Sequence, residues 1–247
     1  MAFFLEETED VYATASIAGL ILTCGIKLTQ WISLFFIAQE RPMPRDGSIT
    51  RNKIMDVAQR MVLDLGLTGT SVDKVIDGAG VTKGTFFYHF KTKHDLSAAL
   101  IERYAGDDRH HFEDAMQKAE QLARDPLQQL LIFIGLFIEM TERLEDPFPG
   151  CLYAAYCYQS GAISAEVLGE VEQMMRFWRD RLSLKLDEVS RLYRARIPVT
   201  HAQVADHVLT TFEGAFVLSK VMKEPKLASE QLIQCRNYME LLFSKEE

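Results

Sequence analysis

The chain has 247 residues, of which 48% are hydrophobic and 25% charged, with a formal net charge of -8; that is enough apolar length for a substantial core and excludes a wholly disordered chain. The negative balance also excludes a protein that coats nucleic acid indiscriminately, because bulk affinity for DNA rests on positive charge. Four cysteines, Cys24, Cys151, Cys157 and Cys235, show no CxxC or Cys/His ligand spacing, so neither a zinc site nor a disulfide framework is expected, and a reducing cytoplasm is the expected compartment.

Residues 1–42 differ in character from the rest of the chain. Val11–Ala38 is strongly apolar with Lys27 its only charge, long enough to cross a bilayer. The acidic flank before it (Glu6, Glu7, Glu9, Asp10) and the basic flank after it (Arg41, Arg45, Arg51, Lys53) would orient the rest of the chain to the cytoplasm. No basic start of a secretory signal precedes it. Three readings stay open: translation beginning at Met43, where MPRDGSITRNKIMDVA opens as a short basic arm, a buried or interfacial helix, or a membrane span.

Thr50–Leu65 reads as the first helix of a compact domain, with Ile54, Val57, Ala58, Met61, Val62 and Leu65 on one stripe and Gly66 ending it. Thr70 and Ser71 can cap a second helix, with Asp73 in its first turn and an end near Gly78. Gly80 supplies a residue that tolerates positive φ at the exit, and Val81 can seal the corner. Thr82 then caps a third helix whose first turn, Lys83, Gly84 and Thr85, presents free amides that suit a phosphate. Phe86 and Phe90 lie one turn apart and can fill a small core, leaving Lys83, Thr85, Tyr88 and His89 on other faces. Thr92 starts a further helix with Asp95 at the capping-box position. Lys93 sits at that helix start, where its charge calls for an external anion. Met43–Asp95 holds eight Lys or Arg against six Asp or Glu, whereas Leu96–Glu247 holds 17 against 24, so the basic face is local and the acidic body points elsewhere.

The stretch TSVDKVIDGAGVTKGTFFYHFKTKHDL, Thr70–Leu96, resembles the N-terminal helix-turn-helix of the tetracycline-repressor (TetR) family, and the likeness runs from about Arg51 to Leu96. The helical layout afterwards is similar to the family's without sequence detail. Ile76 and Gly78 stand where small Ala residues are common, which predicts a looser or wider junction between the two short helices. The resemblance implies an all-α chain with a three-helix DNA-binding domain over residues 43–96 and a larger ligand-binding and dimerisation domain over 97–247. It implies a repressor acting as a homodimer on a near-palindromic duplex operator and released by a small apolar or aromatic effector. Lys83 is the expected base reader, because lysine can donate to guanine O6 or N7, and Thr85 is placed to touch a thymine methyl. Ser71, Thr82, Tyr88, His89 and Lys93 are expected at phosphates, Gly84 at a close backbone approach, and Arg51, with Arg45, at a phosphate or the minor groove.

Beyond Thr92 the helical pattern continues to about Ala123, interrupted mildly at Gly106 and by the polar run Asp107–His111. Asp125 and Pro126 mark the next helix start; Leu127–Leu144 is apolar almost all round, the expected centre of the larger domain. Asp146–Gly150, DPFPG, is a loop, Cys151–Gln159 a short helix and Ser164–Arg194 a long one. Thr200, with Gln203 in capping-box position, opens the eighth helix, and Ser229 lies near the start of the ninth. No segment alternates at period two, so no sheet is expected.

Val204, Val208, Thr211, Ala215, Leu218 and Met222 repeat in steps of four and three, as do Leu232, Cys235, Met239 and Leu242; that is a packing seam, facing either the domain's own core or a second copy. The resemblance favours the second copy, in a four-helix bundle. Phe133, Phe137, Tyr153, Tyr156, Trp178 and Phe212 are the expected effector-binding residues, the tyrosines and Trp178 because each could offer a polar tip to an otherwise apolar ligand. Neither GxSxG, HExxH, a P-loop nor GxGxxG occurs, and His89, His94, His110, His111, His201 and His207 lack ligand spacing, so no catalytic residue, metal or cofactor is expected. His110 and His111 read as solvated or capping. A different reading of the same frame makes Cys151, at a probable helix start that would lower its thiol pKa, a thiol or electrophile sensor; a third is a membrane-anchored helical adaptor without DNA binding.

Overall fold

In the computed structural model the described residues are 47–158 and 163–245; Val11–Ala38 lies outside them. Helix α1 (Ser48–Gly69) is broken at Gly66, whose φ of 72° is open to glycine and costly for other residues. That break corrects the expected stripe: Ile54, Val57, Ala58 and Val62 are buried as expected, but Leu65 is exposed, because the turn at Gly66 delivers Leu67 to the core in its place. Helices α2 (Val72–Ala79) and α3 (Lys83–His89) come next, and α4 (Lys93–Leu122) runs from this head into the body.

The body is built from α5 (Pro126–Glu142), α6 (Leu152–Cys157), α7 (Ala165–Ser190), α8 (His201–Met222) and α9 (Lys226–Leu242). The starts follow from local chemistry: Asp125 accepts from the amides of Leu127 and Gln128, Ser164 from Val167, and Thr200 exchanges two bonds with Gln203. Helix α5 packs against α4, α7 and α9, which explains why nearly every face of it is apolar. Among the described residues the fold is all-α apart from one small ribbon that corrects the expectation of no sheet: β1 (Tyr193–Ala195) pairs antiparallel with β2 (Phe243–Lys245), Ala195 opposite Phe243. Three residues are too few to show alternation, and the partner strand is remote in sequence. Helix α7 accordingly ends at Ser190, before the expected Arg194.

Ion pairs fix α4 in place. Arg103 reaches Asp56 at 2.7 Å and Gln59 at 2.9 Å on α1, Arg181 of α7 pairs with Glu113, and the buried Lys185 ammonium is shared by Glu120, Gln129 and Glu188. A buried lysine is tolerated only with such partners. No helix among the described residues is long and apolar enough to cross a membrane.

Candidate nucleic-acid interface

The reading unit is assembled by its own short-range bonds. Ser71 Oγ accepts from the Lys74 amide at 3.2 Å, fixing the start of α2. Gly80, at φ 59°, closes that helix, and the amides of Gly80 and Val81 reach the carbonyls of Asp77 and Ile76. Thr82 Oγ1 accepts from the Thr85 amide at 3.1 Å and lies 2.9 Å from the Thr85 hydroxyl. Thr92 and Asp95 complete the capping box reciprocally, at 3.0 and 3.1 Å, with Asp in the role usually filled by Glu or Gln. Inside, Phe86 and Phe90 are fully buried, their ring centroids 5.9 Å apart.

Helices α1 and α2 meet closely at Gly78. A methyl group built on Gly78 would lie 2.8 Å from Met61 Cε and 2.9 Å from Val57 Cγ1. Glycine there lets the α2 backbone approach α1 closely.

The outer edge of α3 carries Lys83, Gly84 and Tyr88, all exposed, Tyr88 at 75%. Lys83 forms a 2.9 Å ion pair with Asp73; that hydrogen bond, and then the carboxylate's charge, raise the lysine pKa. The pair is solvated on both sides and contributes little, so the ammonium is readily exchanged to another acceptor. A side chain on Gly84 would meet nothing nearer than Thr82 Oγ1 at 3.8 Å, so no internal contact demands glycine. Thr85 and His89 are half-buried, and the His89 ring lies beside Tyr88 and Gly47.

Two cations are engaged from within. Lys93 Nζ donates to the Leu67 carbonyl at 2.7 Å, and burial lowers its pKa; the charge expected to await an external anion is received by the α1–α2 connection instead. Arg51 lies over the Phe90 ring at 5.1 Å and reaches Met55 Sδ. Residues that the sequence reading did not single out share the surface: Lys74 donates to the Gly69 carbonyl, Lys91 to that of Phe87, and Phe87 itself is 43% exposed. The sequence signal for the two lysines is spacing alone: Lys74 lies one turn after Ser71 and Lys91 one turn after Phe87.

In the body, Phe133, Phe137, Trp178 and Phe212 form one aromatic cluster with Phe112, with Phe112 and Trp178 4.7 Å apart and Phe137 and Phe212 5.1 Å apart. The polar tips read as ligand handles already have partners. Tyr153 Oη and Trp178 Nε1 both donate to Asp108 Oδ2 at 3.1 Å, and Tyr156 Oη donates to the Ser97 carbonyl. Burial raises the Asp108 carboxyl to about 6, against the opposing pull of those two donors. Asp108 belongs to the polar run that read as a mild interruption of α4. His110 pairs with Asp114 on the surface; His111 is buried and its pKa lowered by that burial, which corrects the reading of it as solvated.

Cys151 immediately precedes α6, but its thiol is not activated. Burial, then the charge of Glu213 and a hydrogen bond with it, raise the thiol pKa well above its ordinary value, which overturns the lowered pKa expected from a helix start. Of the packing seam, Val208, Ala215, Leu232, Cys235, Met239 and Leu242 are buried within the single chain, where α8 packs on α9 and α9 on α5. Thr211 is half-buried. Leu218 is exposed, and with Val217, Val221 and Met222 it forms an apolar strip along α8.

Comparison with known proteins places these features. The family described as bacterial regulatory proteins, tetR family, matches residues 54–100. The chain is 20% identical to an uncharacterized HTH-type transcriptional regulator from the lacX 3'region of Lactococcus lactis subsp. lactis, over 71% of this chain and 85% of that one. It is 37% identical over 62 residues to the HTH-type transcriptional regulator AcrR of Shigella flexneri, 25% of this chain and 29% of that one. Among solved structures it is similar to a TetR transcriptional regulator from Chloroflexus aurantiacus, with a TM-score of 0.68 and 19% identity, covering 82% of this chain and 100% of that one. The reduced form of E. coli NemR gives a TM-score of 0.64 at 17% identity, covering 80% and 100%. The solved structures match in fold, and the family match covers the helix-turn-helix and its flanks.

Proposed function

The chain belongs to the TetR family of helix-turn-helix transcriptional regulators, and from that premise we propose that it is a cytoplasmic repressor that binds a near-palindromic operator as a homodimer and is released by a small apolar or aromatic effector. Residues 43–96 are the reading head in this proposal and 97–247 the effector and dimerisation domain. The observation that carries it is the outer edge of α3: Lys83, Gly84 and Tyr88 face outward on a helix whose cap and core are fixed from inside. Two such heads related by a two-fold axis would enter successive major grooves, roughly 34–36 Å apart. Lys83 then leaves Asp73 for a base edge, while Ser71, Thr82 and Tyr88 are positioned for phosphates, and Thr85, His89, Lys93 and Arg51 support the contact from partly buried positions.

The dimer surface in this reading is the exposed strip Val217, Leu218, Val221 and Met222, backed by the buried Val208, Ala215 and Leu232 that hold α8 and α9 together. Introducing a charge into it by Val221→Arg is expected to yield monomers by light scattering at micromolar concentration, with the helical content unchanged. A hundredfold effect of an effector on operator affinity requires about 2.7 kcal/mol of coupling, and the operator must weaken effector binding by the same factor. Such an effector has to enter the cluster of Phe133, Phe137, Tyr153, Tyr156, Trp178 and Phe212, displacing contacts those rings now make with one another. Because the Cys151 thiol is held protonated, Cys151→Ser is expected to leave the response intact.

Selecting bound duplexes from a random pool with the purified chain tests the reading. Recovery of two-fold related half-sites supports it, and equal, weak retention of every sequence removes it. Lys83→Ala should then weaken the selected operator about tenfold or more and relax preference at one base pair in each half-site, measured by fluorescence anisotropy at fixed salt. An operator affinity unchanged in Lys83→Ala would remove Lys83 as the base reader, whereas failure of the wild-type chain to select any duplex would support the helical adaptor without DNA binding.

A further inference from the structure

Lys220 joins three segments that are distant in sequence. Its ammonium donates to the carbonyl of Leu63 in α1 and to that of Pro149 in the 146–150 loop, each at 2.6 Å. One turn earlier on α8, Phe216 stacks on Phe148 of the same loop, with ring centroids 4.0 Å apart and planes within 17°. The loop then turns at Gly150, whose φ of 112° disfavours any side chain. Phe216 also touches Phe212, Phe212 touches Trp178, and Trp178 donates to Asp108. An unbroken run of contacts therefore leads from the buried carboxylate on α4, through the aromatic cluster, to the carbonyl end of α1.

The chemistry at that end is specific. Leu63 lies in the last regular turn of α1 before the break at Gly66; the last turn of a helix carries partial negative charge on its carbonyls, so an ammonium there is favoured, and a lysine shared by two carbonyls makes their positions interdependent. Besides its packing on α4 and α6, α1 takes side-chain hydrogen bonds from two well-separated places in the body: Arg103 of α4 holds Asp56 and Gln59, and Lys220 of α8 holds Leu63 further along. Attachment at one point leaves a pivot. Attachment at two fixes an angle.

We propose that Lys220 is a positioning residue for operator recognition: it sets the angle of each reading head on the body, hence the half-site spacing that the dimer accepts, and it is where a displacement of the 146–150 loop reaches α1. This role depends on the chain binding an operator as a dimer.

The test compares the wild-type chain with Lys220→Met, which keeps the aliphatic stem and removes the donor, and Lys220→Arg, which restores a donor. Without DNA, hydrogen exchange is expected to rise about tenfold in Lys220→Met, in the last turn of α1 and the 146–150 loop together, the effect of losing one charge-assisted hydrogen bond. With operators of varied spacing, the affinity ratio between the best spacing and one a base pair longer should fall about tenfold, while affinity for a single half-site is kept. Lys220→Arg should recover part of both effects. Unchanged exchange, or a change confined to one segment, overturns the clasp. An unchanged spacing ratio overturns its role in recognition, which a merely stabilising residue would leave untouched. Failure of the wild-type chain to select any DNA removes the operator reading and the spacing role with it, and the exchange result still decides whether the clasp exists.

Discussion

Phe86→Ala is expected to unfold the reading head and abolish operator binding while the body stays folded. Phe86 has no exposed surface and meets Phe87 edge-on at 5.3 Å and Phe90 at 5.9 Å. Truncating a fully buried phenylalanine removes about 3–5 kcal/mol, through lost transfer energy and the cavity left behind. The core available to offset that loss is small: Ile54, Met55, Val57, Ala58, Val62 and Leu67 from α1, Val75, Ile76 and Ala79 from α2, and Phe90 and Leu96 beyond α3. A domain with so few apolar contributors has little reserve. The body does not draw on Phe86, since its core is centred on α5 and the cluster around Phe112, Phe133 and Trp178. Hydrogen exchange should therefore show loss of protection over α2 and α3, with near-ultraviolet circular dichroism and protection in α5 retained. Uniform loss of protection throughout the chain would show instead that head and body form one cooperative unit.

The second large effect is expected at Asp108. Its carboxyl sits at about 6 against an ordinary value of 3.8, so between those two pH values the folded chain binds a proton that the unfolded chain has released. The stability this group contributes is thus fully present below about pH 4 and is lost as pH rises through 6. At neutral pH the charged form is disfavoured by about 3 kcal/mol relative to an unperturbed carboxylate. Asp108→Asn removes the buried charge and keeps an oxygen that can accept from Tyr153 Oη and Trp178 Nε1. The variant should therefore be more stable than the wild-type chain at pH 7.5, by up to about 3 kcal/mol in urea unfolding, and the advantage should shrink as pH falls toward 4. An equal difference at both pH values would mean that the effect is one of packing and not of charge. Asp108 lies on the helix that runs from the head into the body and accepts both polar tips expected of the effector site.

Much of this was legible in the residues taken in order. Ser71, Thr82, Thr92 with Asp95, Asp125 with Pro126, and Thr200 with Gln203 each cap the helix they were expected to cap, because a cap is an exchange between a side chain and amides two or three residues away. Gly80 ends α2 for an equally local reason, the backbone conformation that glycine permits. Helical periodicity likewise identified the apolar faces, Phe86 and Phe90 among them.

Periodicity does not say what covers a face. It could not tell that the seam of Val208, Ala215, Leu232, Cys235, Met239 and Leu242 closes on the chain's own α5, α8 and α9, leaving Leu218 and its neighbours outside. Nor could it place the Leu67 carbonyl under Lys93, turn Asp108 and His111 inward, set Glu213 beside Cys151, or pair Tyr193–Ala195 with Phe243–Lys245. Each of these joins groups remote along the chain, and the free energy of a buried charge or thiol depends on the neighbours that packing brings to it. Local chemistry specified where most of these helices begin and that α2 and α3 form a turn-linked pair; packing between remote segments settled where α7 stops, which polar groups are buried, and how α1 is fastened to the body.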